Sequence, residues 1–131
     1  MRDFRKALNN NVMMKYESFF GHGDIKTFWI ELKSGLTLSI QAGEGNYSSP
    51  RTNFKHPQFQ RYKEFEIGFP SKMVPEFMPY CEDEDKPTDT VYGWVPREVI
   101  QKVINQNGGI KQFVKPNLES IKNKVRKETK Q

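Results

Sequence analysis

Cysteine occurs once in this sequence, as Cys81, and histidine only twice, as His22 and His56. A single cysteine excludes an internal disulfide and fits a reducing compartment. Neither histidine lies near Cys81 in sequence, so no zinc-ligand spacing can be written. Two histidines are too few for a phosphoesterase built on duplicated His motifs. No G-x-S-x-G or Cys/His signature surrounds Ser48, Ser49 or Cys81, which leaves no activated nucleophile. His22, between two glycines, has no visible partner as a general base and reads as loop polarity. Long apolar runs are also missing: the longest is far too short to span a bilayer, and Met1–Lys6 does not lead into the apolar segment of a signal peptide. A soluble intracellular protein with no membrane partner is expected.

An excess of charge of either sign is absent from the body of the chain. Residues 1–110 hold 14 basic and 14 acidic residues, so the net charge of +5 lies wholly in residues 111–131. That basic stretch has no aromatic residue after Phe113 to stack on bases, and a solvated C-terminal helix is the expected reading. Nucleic acid is therefore not an expected partner. The acidic run Glu82-Asp83-Glu84-Asp85 with Asp89 lacks the alternating carboxylates and glycine turn of a calcium loop, so no metal and no cofactor are expected. Glu64 and Glu66 point the same way off one strand, where they read as solubility. The site checklist yields no catalytic set, and the protein is expected not to be an enzyme.

What is present is a ring-rich core and a strong β pattern. Hydrophobic content is 35% and aromatic content 13%, so large rings must offset a low aliphatic count. At 131 residues the chain is expected to form one domain. An N-terminal arm or helix occupies residues 1–25, a β-sheet region 26–95, and C-terminal helices with the basic tail 96–131. Phe4, Leu8 and Val12 have near-helical spacing. Phe28, Ile30 and Leu32 alternate with polar residues and Trp29, then Lys33-Ser34-Gly35 turns the chain into Leu36, Leu38 and Ile40. That is a hairpin signal, which puts Trp29 and Thr37 on the face opposite the core. Residues 52–62 read as a long loop, and Phe65, Ile67 and Phe69 mark a third strand. Val74–Cys81, rich in proline, reads as a packed loop or single helical turn. Thr90–Val95 is a fourth strand candidate. Pro96 then opens a helix with Val99, Ile100, Val103 and Ile104 on one face, stopped by Asn107-Gly108-Gly109. Ile110–Val114 reads as a short extended piece, and Pro116 opens a last helix bearing Leu118, Ile121 and Val125. The expected fold is α+β: an antiparallel sheet of four or more strands followed by two C-terminal helices.

The chain is organised around LTLSIQAGEGNYSSPR, residues 36–51, a strand that delivers a small, polar, glycine-rich loop. Aromatics can stack a nucleobase, Arg can pair with phosphate, and Asn or Gln can read base edges or ribose hydroxyls. Gln41, Asn46, Tyr47, Ser48 and Arg51 supply that chemistry in one loop. Phe69 ends a strand, and Tyr92, Trp94 and Arg97 sit where a strand meets a helix. Arg97 falls in a first helical turn, where the dipole disfavours a cation unless an anion or a carboxylate such as Glu98 is near.

Three segments, SIQAGEGNYSSPR (39–51), FEIGFPS (65–71) and TVYGWVPREVIQKVINQNGGI (90–110), resemble small proteins encoded by bacteriophages and prophages, and within them the Thoeris anti-defence family of signal sponges. The resemblance covers about residues 26–110. It implies a β-sheet followed by C-terminal helices, and assembly into a homo-oligomer, a dimer or higher. It further implies sequestration, without cleavage, of cyclic ADP-ribose isomers in the host cytoplasm, with cyclic oligonucleotides held by some members. Such sponges are expected to use an aromatic, an Asn and Arg residues; Phe69, Asn46, Arg51 and Arg97 are candidates by chemistry rather than by alignment. The competing expectation is an anti-CRISPR-like protein that binds and inhibits a host defence nuclease or effector. It would use Trp29, the acidic run or the basic tail as its contact surface.

Overall fold

The structure is a computed structural model that describes residues 3–11, 27–52, 54 and 58–114. Helix α1 (Phe4–Asn11) is followed by strands β1 (Thr27–Leu32), β2 (Thr37–Gln41), β3 (Glu64–Gly68) and β4 (Val91–Pro96), then helix α2 (Arg97–Gln106) and strand β5 (Ile110–Val114). Short 3₁₀ turns at Phe59–Arg61 and Pro75–Tyr80 lie in the connections. Every neighbouring strand pair is antiparallel, in the order β4-β3-β2-β1-β5. The fold is α+β.

Alternation along the strands sorts the two faces. Cross-strand partners Phe28 and Ile40, Ile30 and Leu38, Ile40 and Ile67, and Phe65 and Val95 are all buried on one face. Residues i and i+2 on that face form the core by the two-residue period of a strand. Helix α1 adds Phe4 and Leu8, with the Phe4 ring edge-on to Phe65 at 5.2 Å, and α2 adds Ile100, Val103 and Ile104. Full burial of such side chains is worth about 1.5–3 kcal/mol each. The β1–β2 turn closes through the Leu32 N–H to Leu36 carbonyl bond (2.8 Å), and Gly35 takes φ +98°, which a Cβ would strain.

Several expectations are corrected. The sheet does not end before α2: the extended piece Ile110–Val114 returns to pair with β1, so β5 completes the sheet after the helix. One helix, α2, therefore stands between the last two strands, and the helix expected from Pro116 lies outside the described residues, as do Val12, His22, His56 and the basic tail beyond Val114. Pro96 ends β4 and precedes α2 as its cap instead of lying within the helix. Trp29 is on the face away from the core as expected, but it is half-buried against Phe69, with ring centroids 6.3 Å apart. That same face is unusually occluded: Ser39 and Gln41 are buried there although the alternation assigns them to the polar side. Gly68 makes this possible, because a Cβ at that position would lie 2.4 Å from Ser39 Oγ.

Candidate functional site

The outer face of β2, β3 and β4 carries the polar loop that follows β2. Phe65 pairs with Val95 and Ile67 with Tyr92, so the single residue Glu66 faces both Gly93 and Trp94. This is a β-bulge, a device that re-aims a side chain. Trp94 takes φ +51°, a left-handed conformation rare for a bulky residue, and its N–H donates to the Tyr47 carbonyl at 2.9 Å. Its indole stacks on the Tyr47 ring (5.0 Å between centroids, 28° between planes). The Arg51 guanidinium lies over Tyr47, 5.5 Å from the ring centroid. Arg51, Tyr47 and Trp94 thus form a short ladder, with Trp94 46% exposed.

Glu66 anchors that ladder from below. Its carboxylate accepts the Tyr47 N–H (2.8 Å) on one oxygen and Gln41 Nε2 (2.7 Å) on the other. Charge-assisted bonds of this kind are about twice as strong as neutral ones. The remaining amide oxygen, Gln41 Oε1, is buried with no hydrogen-bond partner among the described residues, an acceptor whose desolvation they leave uncompensated. Ser48 Oγ accepts the Gly43 N–H at 3.0 Å and donates to the Pro50 carbonyl at 3.1 Å. The loop is also laced to β3 by the Ser49 N–H to Glu64 carbonyl bond (3.1 Å) and the Lys63 N–H to Ser49 carbonyl bond (2.8 Å).

Of the residues expected at a site, Tyr47, Arg51 and Trp94 come together, with Gln41 beneath them. Asn46 is half-buried in the same loop, and its side-chain amide has no partner among the described residues. Ser48 does not present a hydroxyl to solvent; it is buried and holds the loop closed. Phe69, at φ +50°, stacks on Trp29 and not on the ladder. Tyr92 is a core residue: it packs near Phe77, its hydroxyl donates to the Pro87 carbonyl, and burial, reinforced by Cys81, pushes its phenol well above the usual value. Arg97 pairs with Glu98 (Nε to Oε1, 3.0 Å), the local carboxylate that accounts for a cation in a first helical turn. The Glu98 carboxyl is held below its usual value by its own backbone N–H and by Arg97. Arg97 also lines a separate concavity with Asp3, Phe4 and Gln101, to which no ladder residue contributes.

Glu66 is the site residue that strand alternation hid. Its period-2 position looks like any solvated glutamate, and only the proximity of Gln41 and Tyr47 across the sheet gives it work. The assembled chemistry is a flat π surface, a guanidinium, the Asn46 carboxamide and a buried acceptor. Both Glu66 oxygens are already engaged, and no nucleophile paired with a base stands among these residues. Such a set can hold a ligand by stacking and charge. Among the described residues no three His, Cys, Asp or Glu side chains gather as metal ligands would, and no helix is long and apolar enough to cross a membrane. Comparison of the chain with protein-family models, with curated proteins and with solved structures finds no match.

Proposed function

We propose that this protein binds and sequesters a small nucleotide-derived signal without cleaving it. The observation that carries the reading is the Arg51–Tyr47–Trp94 ladder, whose outermost ring is solvent-exposed. A nucleobase would extend the stack on Trp94, a contact worth about 1–3 kcal/mol per base. Arg51 would face the phosphates, and Asn46 would serve ribose hydroxyls or base edges. On the resemblance to the Thoeris anti-defence family, the ligand we propose is a cyclic ADP-ribose isomer, with cyclic oligonucleotides as the next class. The same resemblance leads us to propose a phage-encoded counter-defence sponge acting as a homo-oligomer in the host cytoplasm. Sequestration lowers free signal, so the host effector stays silent.

The test is a thermal-shift screen against cyclic ADP-ribose isomers and cyclic di- and trinucleotides, followed by heat release and analysis of the recovered ligand. A ligand at 100 times its Kd adds about 2.7 kcal/mol of stability, enough to move the midpoint by several degrees. Intact recovery, with the shift lost in Arg51→Ala and Trp94→Ala, supports the sponge; a cleaved product makes the protein an enzyme. A second reading is favoured by one observation: Trp94 stands on an open surface, and the described concavities do not include it. Exposed tryptophans anchor protein interfaces, so inhibition of a host defence nuclease or effector is the alternative. It predicts no shift with any nucleotide and loss of counter-defence in Trp94→Ala.

A further inference from the structure

On the helix side of the sheet a groove of about 510 Å³ runs between α1, the end of α2 and β5. Its volume is in the range of small-molecule sites. Phe4, Ala7, Ile104 and Phe113 give it an apolar lining, and Lys33 and Lys111 line it from the β1–β2 turn and from β5. Both lysines are placed by specific backbone features. The turn carrying Lys33 is clamped to the end of α2 by the Lys33 N–H to Gly109 carbonyl bond (3.0 Å), the Ser34 N–H to Asn107 carbonyl bond (3.0 Å) and Ser34 Oγ to Asn107 Oδ1 (2.6 Å). The Lys33 stem lies against Gly108, where a Cβ would come within 3.2 Å of it. Lys111 is the extra residue of a second bulge: Glu31 pairs with Gln112 and Leu32 with Ile110, leaving Lys111 between them.

The charge of this groove is unbalanced. Asp3, the one acidic residue among the described lining, is committed to Arg5 (2.6 Å), whose hydrogen bond holds the Asp3 carboxyl below its usual value. Neither Lys33 nor Lys111 pairs with a carboxylate among the described residues. Two ammonium groups without a carboxylate partner among the described residues, set on an apolar groove, complement an anionic head on an apolar body. We propose that this groove binds a free medium-chain aliphatic carboxylate, its tail against Phe4, Ile104 and Phe113 and its carboxylate held by Lys33 and Lys111. The site is independent of the Tyr47–Trp94 ladder.

The experiment is a titration of the ¹⁵N-labelled full chain with decanoate below its micelle concentration, with decanol and decyltrimethylammonium as matched controls. Saturable shifts at the amides of Lys33, Gly108, Gly109 and Lys111 are expected with decanoate and not with either control. Loss of one charge-assisted contact should weaken binding about tenfold in Lys33→Gln and in Lys111→Gln, while Trp94→Ala leaves it unchanged. Lys111→Gln keeps the test open if the clamped Lys33 turn tolerates no change. A Lys33 that merely offsets the helix C-terminal dipole would give a lower melting point in Lys33→Gln with unaltered decanoate affinity in both variants, which overturns the proposal. So would absence of saturable shifts, equal binding of decanol, or the same amides shifting with protein concentration alone, which would assign the groove to a second copy of the chain.

Discussion

The Tyr47 ring lies against the Trp94 indole, 5.0 Å between centroids, because the neighbouring β4 residue is glycine: a Cβ at Gly93 would lie 3.2 Å from Tyr47 Cβ. The bulge opposite Glu66 supplies the extra residue, and the left-handed backbone at Trp94 turns the indole outward. Backbone strain at a bulky residue costs about 1–3 kcal/mol and persists where the surroundings over-determine it. Here the Trp94 N–H to Tyr47 carbonyl bond and the ring stack are those surroundings.

That strain can be separated from the stack. Trp94→Gly and Trp94→Ala both delete the indole, but only glycine occupies φ +51° without a steric penalty. Trp94→Gly is expected to be more stable than Trp94→Ala by about 1 kcal/mol, read from urea midpoints. Equal midpoints would mean that the bulge relaxes once the ring is gone.

A second pair tests the occluded outer face. Gly68→Ala places a Cβ 2.4 Å from Ser39 Oγ, and overpacking of this kind costs about 1–3 kcal/mol. Ser39 Cβ lies 3.8 Å from the same point, an ordinary contact, so Ser39→Ala should restore most of the loss. The double-mutant cycle should show a favourable coupling near the cost of the single change. Additive losses would place the strain elsewhere.

Alkaline stability should depend on Tyr62. Burial raises its phenol above the usual value, against the lowering effect of Arg61, and its hydroxyl donates to the Thr52 carbonyl at 2.6 Å. In the unfolded chain the phenol ionises near pH 10, at about its reference value. Below that pH both states hold the proton and this group's stabilising contribution is complete. As pH rises through the folded-state value the unfolded state binds fewer protons and the contribution is lost. Tyr62→Phe should cost about 1 kcal/mol at neutral pH through the lost bond, and its stability should fall less steeply above pH 10 than that of the parent. An unchanged alkaline slope in denaturant titrations would assign the effect to Tyr92, whose phenol is also raised by burial.

Local pattern carried much of the fold. The alternation Phe28-Ile30-Leu32 and Leu38-Ile40 around Gly35 is a statement about a half-covered hairpin, and the hairpin is there. The helix face Ile100-Val103-Ile104 and its glycine stop were equally local. What depended on tertiary pairing was not legible: Ile110–Val114 is as long as β2 and β3 but lacks their alternation, and its pairing with β1 is what makes it a strand. The ladder was half visible. The residue types of Tyr47, Arg51 and Trp94 suggested stacking, but Tyr92, two positions before Trp94, looked identical in sequence and belongs to the core. A bulge changes which side of the sheet a residue faces, and a period-2 reading has no way to register it.

The two bulges also bear on how the molecule behaves among its own kind. Each lies on a terminal strand pair of the sheet, at β4 and at β5. Along β4 the Val91 carbonyl is taken by the Glu82 N–H and the Trp94 N–H by the Tyr47 carbonyl, while β5 offers an irregular ladder interrupted by a lysine. Bulges, lysines and capped backbone groups are what keep an open sheet from serving as a template for another strand. Among the described residues the sheet ends at five strands with both edges blunted in this way, which disfavours edge-to-edge stacking into fibrils in a crowded solution.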